Sequence, residues 1–142
     1  MKLLQQECFA AMADDALRAR SSSGGAFGLL ARRVLERGGV VCGAAFDAHM
    51  NVRHIIARDE AGLEALRGSK YARSIVSPEL LAELERIMDG GGLVAFFGIP
   101  CQVDAVKRRF ERFGGLFLTA DMICGGAPEQ KYFISYLNEN WG

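Results

Sequence analysis

Along its last third the chain alternates between two kinds of apolar pattern. "LVAFFG" (93–98) is a continuous apolar run, "PCQVDAVKRRFERFGG" (100–115) has a helical period that turns Phe110 and Phe113 inward, and "LFLTADMIC" (116–124) is extended again. Strand, helix and strand in that order predict a right-handed parallel crossover, with the strands apolar throughout because both sheet faces are covered. A last helix is expected from "APEQKYFISYLNEN" (127–140), which leaves the chain ending inside a helix, as a piece cut from a longer protein would.

The first two thirds are read in the same way. "ECFAAMA" (7–13) reads as a short strand and "DDALRARSSSGG" (14–25) as a connection. In "AFGLLARRVLERGG" (26–39), Phe27, Leu29, Leu30, Val34 and Leu35 recur on a helical period, after a serine-rich start and before a Gly38-Gly39 stop. "VVCGAAFD" (40–47) and "VRHIIARD" (52–59) flank "AHMN" as the strands of a hairpin. "EAGLEALRG" (60–68) is a short helix, "SKYARSIVS" (69–77) is irregular or partly extended, and "PELLAELERIMDGGG" (78–92) is a helix with Ser77 as its cap and Pro78 at its first position. The fold class is therefore α/β: a mixed or mostly parallel sheet with flanking helices and an N-terminal hairpin region.

Composition narrows the function. The 142 residues are half hydrophobic, enough for one domain with a real core. Seventeen basic residues balance seventeen acidic ones, which removes any electrostatic case for nucleic acid or an anionic membrane as the main partner. No apolar run approaches the roughly 20 residues that span a bilayer, and the start lacks the build of a signal peptide. Cys8, Cys42, Cys101 and Cys124 are far apart and form no C-x-x-C pair, which fits a reducing compartment; the expected location is cytoplasmic.

Two of those thiols invite chemistry. Cys101 follows Pro100 just past one expected strand, and Cys124 ends the next, so neighbouring strands would open both onto the edge where α/β sheets bind ligands. Thiols in the first turn of a helix favour the thiolate, the form that binds metal or attacks. Cys42 and Cys8 read instead as small hydrophobes. On spacing alone, packing and chemistry both remain open for Cys101 and Cys124, because two positions supply only half of a zinc or iron-sulfur site. "SSSGGAF" (21–27) offers free N–H groups to an anion but lacks a P-loop's Lys-Ser/Thr ending, and an ordinary helix cap explains it as well. "GSKY" (68–71) joins a turn, a cation and an aromatic ring, as a surface loop also would. His49 and His54 have no partner at metal spacing and read as solvated or packed.

Taken in order, "RSSSGGAFGLLARRVLERGGVVCGAAFD", "VRHIIA", "LRGSKYARS", "GIPCQVDAVKRRF" and "DMICGGAP" strongly resemble the beta-subunit family of coenzyme F-420 hydrogenases and dehydrogenases, from about Cys8 to Pro128. The resemblance implies an iron-sulfur flavoprotein in which FAD passes electrons between clusters and a deazaflavin or another acceptor. It matches Ser22, Ser23, Gly24 and Gly25 to a loop that holds flavin or its pyrophosphate. Gly68, Ser69, Lys70 and Tyr71 match a second cofactor motif, with Lys70 the catalytic cation facing phosphate or reduced flavin. Gly98, Pro100 and Gln102 match a Gly-Thr-Pro-Cys-Gln pattern whose cysteine is Cys101, and Cys124 with Gly126 matches Cys-His-Gly, so both thiols are implied ligands of a 4Fe-4S cluster.

Ile99 replaces the family's usual threonine and Gly125 its usual histidine, and the ferredoxin-like cysteine run that many members carry is absent. Residues 1–142 then read as one fragment of a flavin-binding beta-subunit region, about 1–90 in its N-terminal part and 91–142 opening its C-terminal part. Alone it is expected to be inactive, its partners being a redox subunit or ferredoxin-like domain and a small-molecule acceptor. Two alternatives stand beside this: a non-catalytic binding or scaffold module that retains the fold, and a thiol enzyme using Cys101 alone.

Overall fold

The computed structural model describes residues 7–141. Four strands, β1 (Val40–Phe46), β2 (Val52–Ala57), β3 (Val94–Gly98) and β4 (Phe117–Asp121), form one sheet in the order β2-β1-β3-β4. β1 and β2 are an antiparallel hairpin, and β3 runs parallel to both β1 and β4. Six helices complete the described chain: α1 (Asp15–Ala19), α2 (Ala26–Leu35), α3 (Glu60–Leu66), α4 (Pro78–Asp89), α5 (Pro100–Arg109) and α6 (Gln130–Trp141). The fold is the expected α/β class with a mixed sheet.

Successive side chains of a strand point to opposite faces, and the central strands use both. Val40, Cys42, Val94 and Phe96 enter a core closed by Leu80, Leu84 and Met88 of α4 and by Val103 and Val106 of α5, with Phe110 just beyond. Val41, Ala45 and Ala95 face the other way, against Ala31 and Val34 of α2 and Leu63 and Leu66 of α3. α4 starts as expected, with the Ser77 hydroxyl accepting the Leu80 amide at 3.2 Å.

Several expectations are corrected. Residues 7–13 are not a strand: among them only Ala13 is buried, and its amide bonds the Gly24 carbonyl at 2.8 Å, so this segment is pinned to the serine-glycine loop instead of to the sheet. Cys8 is accordingly exposed rather than packed. The connection after it contains α1, capped by Asp14, whose carboxylate accepts the Leu17 amide at 2.9 Å. On α2 the buried positions are Gly28, Ala31 and Val34, while Leu29 and Leu30 stay exposed. β4 ends at Asp121, short of Cys124: the Met122 amide still reaches the Gly98 carbonyl at 3.3 Å, but β3 stops there and offers residues 123 and 124 nothing to pair with. α5 gives way at Arg109 to a 3-10 segment (Glu111–Leu116) containing Gly114 at φ 51°.

Among the described residues, His54 is the polar residue buried as a whole. His54 of β2 is 5% exposed, lies flat on Phe96 with ring centroids 4.8 Å apart, and places Nε2 3.0 Å from the Phe97 carbonyl. Burial pushes it down to about 4, a shift that the Phe97 bond only partly opposes. The unfolded chain therefore takes up this proton near pH 6.5 and the native one only near pH 4. Native stability should be greatest above that upper value and fall as pH drops through the interval, by roughly 3 kcal/mol in all. Urea unfolding followed by circular dichroism should give a lower midpoint at pH 4.5 than at pH 7, and the difference should shrink in His54→Gln. Equal midpoints would refute a neutral buried imidazole.

Candidate functional site

Two loops meet beside the start of α2. Gly25 begins that helix with φ 85°, and a Cβ there would lie 2.7 Å from the Ala13 Cβ, so the turn is open only to glycine. None of the preceding serines caps the helix. Ser21 Oγ donates to the Leu17 carbonyl at 2.8 Å, Ser22 Oγ accepts the Ser69 amide at 2.9 Å, and Ser23 is exposed. The first amides of α2 thus face no capping side chain and remain suited to an anion. Ser22, already an acceptor, keeps its hydroxyl proton for another group.

The second loop is held from α3. Gly68 turns the chain at φ 78°, Ser69 reaches Ser22, and the Tyr71 ring is 77% exposed. Lys70 folds back: Nζ donates to the carbonyls of Ala65 at 3.0 Å and Arg67 at 2.5 Å, at the negative end of α3. Burial pushes its ammonium down to about 8, while those two carbonyls favour the charged form. A phosphate or reduced flavin would have to draw Lys70 away from them.

The thiol-bearing turns lie where β3 and β4 end. A Cβ on Gly98 would sit 2.9 Å from the Phe96 ring and 3.2 Å from Gln102 Oε1, so the turn closes tightly. Pro100 occupies the first turn of α5 and Cys101 follows it, exposed. Gln102 is wholly engaged by the chain itself, its Oε1 accepting the Ile99 amide at 3.3 Å and its Nε2 donating to the carbonyl and hydroxyl of Ser74, both at 3.0 Å. Cys124 is exposed in the loop after β4, and its Sγ accepts the Gly126 amide at 3.3 Å. Cys42, in mid-strand, is buried, and burial pushes its thiol well above the usual range, as inert as expected.

The serine-glycine and Gly68–Tyr71 loops are therefore joined directly, and the two cysteine turns share the β3-β4 edge. Between the pairs the link is aromatic: Phe27 of α2 meets Phe97 of β3 edge-on, with centroids 4.8 Å apart. Among the described residues no group of three or more His, Cys, Asp or Glu side chains could hold a metal ion. Sequence reasoning missed Gln130, whose amide caps the free edge of β2: it accepts the Val52 amide at 3.1 Å and donates to the carbonyls of Val52 at 2.8 Å and Arg73 at 3.1 Å. A glutamine at the head of a helix gives no signal of that role.

The molecule thus combines a mixed four-stranded α/β sheet with two loops joined beside the start of α2. The family model for "Coenzyme F420 hydrogenase/dehydrogenase, beta subunit N-term" matches residues 8–82, more than half of the chain. The chain belongs to that family. The match takes in Ser22–Gly25 and Gly68–Tyr71 but stops before Cys101 and Cys124. Among solved structures, a chain of the F420-reducing [NiFe] hydrogenase complex from Methanosarcina barkeri superposes with a TM-score of 0.71 at 20% identity, over 91% of this chain and 47% of that one. This likeness is one of fold, and the chain spans about half the length of that relative. No curated protein matches the sequence. No helix among the described residues is long and apolar enough to cross a membrane.

The substitution at residue 99 has a measurable consequence. Gln102 supplies one half of a capping box at the start of α5, but Ile99, the N-cap residue, has no oxygen to return to the Gln102 amide. Ile99→Thr should complete the box and stabilise the protein by about 1 kcal/mol before the lost apolar contact of a half-buried side chain is deducted. Calorimetry should show a Tm raised by about 3 °C. An unchanged or lower Tm would mean that packing of Ile99 outweighs the cap.

Proposed function

We propose that the chain is the flavin-binding part of an iron-sulfur flavoprotein oxidoreductase, working between iron-sulfur clusters and a deazaflavin-like or other acceptor. The observation that carries this reading is the 2.9 Å bond from the Ser69 amide to Ser22 Oγ, which unites two loops distant in sequence around the uncapped end of α2. Their residues fit FAD. The α2 amides with Ser22, Ser23, Gly24 and Gly25 would receive its pyrophosphate, the exposed Tyr71 ring and the turn at Gly68 and Ser69 would flank it, and Lys70 would move from the α3 carbonyls to its negative charge. FAD so bound would supply the electron transfer between one-electron and hydride partners.

The described residues do not by themselves fit a 4Fe-4S cluster. Cys101 and Cys124 would contribute two of its ligands, with Gly98 and Pro100 shaping the turn, and the others would come from a partner subunit or ferredoxin-like domain. The setting that suits such a protein is the cytoplasm. A second reading, a scaffold that has kept the fold without the chemistry, draws support from the present engagement of Lys70 with carbonyls.

Titrating the chain with FAD under anaerobic conditions, followed by flavin fluorescence, separates the two. Binding in the micromolar range, weakened about tenfold in Ser22→Ala, where the Ser69 amide loses its acceptor, is expected. No binding of FAD at millimolar protein would overturn the flavin reading in favour of the scaffold.

A further inference from the structure

We propose that His54 is the positioning residue of the Cys101 turn, its Nε2–H holding the Phe97 carbonyl where β1 and β3 part. The register between these strands runs Val40 to Val94, Val41 to Ala95 and Cys42 to Phe96, and then stops. β1 continues beside β2 as far as Phe46 opposite Val52. From Gly43 onward β1 therefore leaves β3, and backbone groups of β3 that face it lose their partners. The Gly98 carbonyl faces β4, since it accepts the Met122 amide at 3.3 Å. By the alternation of a strand, the Phe97 carbonyl faces the opening between β1 and β3.

His54 fills that opening from two strands away. It pairs with Ala44, whose small side chain shares its face of the sheet and leaves the ring room to cross β1. Its own backbone is fixed by the bond from its amide to the Ile75 carbonyl at 2.8 Å. Nε2 lies 3.0 Å from the Phe97 oxygen, and because a carbonyl only accepts, Nε2 carries the proton. Nδ1 is buried and has no hydrogen-bond partner among the described residues. A core selected only for packing would place a phenylalanine here, flat on Phe96, and leave no orphaned nitrogen. What the imidazole adds is one N–H for one carbonyl.

Residue 97 is thereby clamped from both faces, its carbonyl by His54 and its ring by Phe27, and Cys101 follows four residues later. The geometric role stands alone. Its consequence for redox chemistry rests on the proposed reading of Cys101 as a ligand.

Iodoacetamide labelling of the 142-residue chain, read cysteine by cysteine by mass spectrometry, tests the positioning without flavin or iron. In His54→Phe the Cys101 rate should change at least threefold. Exchange of the Gln102 and Val103 amides, both bonded to the Ile99 carbonyl, should quicken at least tenfold. Cys8 should label at the wild-type rate and buried Cys42 should stay protected, showing that the fold persists. His54→Gln, which keeps an N–H at the same reach, should restore most of the wild-type behaviour. Unchanged Cys101 labelling and amide exchange in His54→Phe would overturn the proposal. If Cys42 becomes reactive because His54→Phe unfolds, nitrogen-15 spectra of the wild-type histidine at pH 7 decide: a proton on Nε2 supports the proposal, and one on Nδ1 overturns it. A failed FAD titration would leave all these outcomes unaffected.

Discussion

The pairing of β1 with β3 is the constraint on which the molecule depends. Val41, Cys42, Val94 and Phe96 are all fully buried, and consecutive residues feed opposite cores. A slip of one residue between the strands would exchange the two sets, driving Phe96 toward α2 and α3 where only Ala95 fits, so the register is strongly determined. That register also sets the site. α2 leads into β1 and α5 leaves β3, so the offset between these strands fixes the offset between the Gly25 loop and the Cys101 turn.

A second layer of organisation is electrostatic and brings the serine-glycine and Gly68–Tyr71 loops together. Glu60 of α3 takes Arg32 of α2 and Arg67 at 2.7 Å each, and Glu64 takes Arg67 at 2.7 Å and Arg20 at 2.6 Å. Hydrogen bonding to Arg32 holds the Glu60 carboxyl below its usual range. Isolated surface pairs contribute little, but here Arg67 is 5% exposed and links both carboxylates, so the network behaves as one unit. It fastens the end of α3 to α2 and to the approach of the serine-glycine loop. Ser69, two residues beyond Arg67, is thereby delivered to Ser22.

Regular elements were legible in the sequence wherever one period held for a full strand or helix. The β1-β2 hairpin, α4 with its Ser77-Pro78 start and the β3-α5-β4 alternation stand where the patterns put them. Legibility failed where burial depends on what lies across a gap. Leu29 and Leu30 share a helical period with Phe27 and Val34, yet Val41 and Ala45 of β1 pack in one cluster with Ala31 and Val34 of α2, and the two leucines stay exposed. "ECFAAMA" has strand-like composition but no neighbour to pair with. Cys101 and Cys124 follow β3 and β4 at one end of the sheet, because parallel neighbours deliver their following loops to the same side, although β4 stops three residues before Cys124. His54 was legible only as packed or solvated: what its nitrogen bonds lies 43 residues further along the chain, and no local pattern encodes it.

That failure has a common physical cause. At the C-terminal edge β1 and β3 diverge, so the Phe97 carbonyl has no strand partner there, and side chains also bond backbone groups of β2 and of the loops nearby. His54 takes the Phe97 carbonyl, Gln102 the Ser74 carbonyl, Gln130 both backbone groups of Val52, and Ser22 the Ser69 amide. Unpaired backbone groups cost free energy where they are buried, so each substitution helps to hold its loop. It does so without covering the edge with another strand. Cys101, Cys124 and Tyr71 therefore remain exposed beside these bonds. Cys42, only two residues before Ala44 but inside the paired region, has no such access. The end of the β1-β3 ladder thus separates buried Cys42, its last paired residue on β1, from exposed Cys101, five residues beyond Phe96.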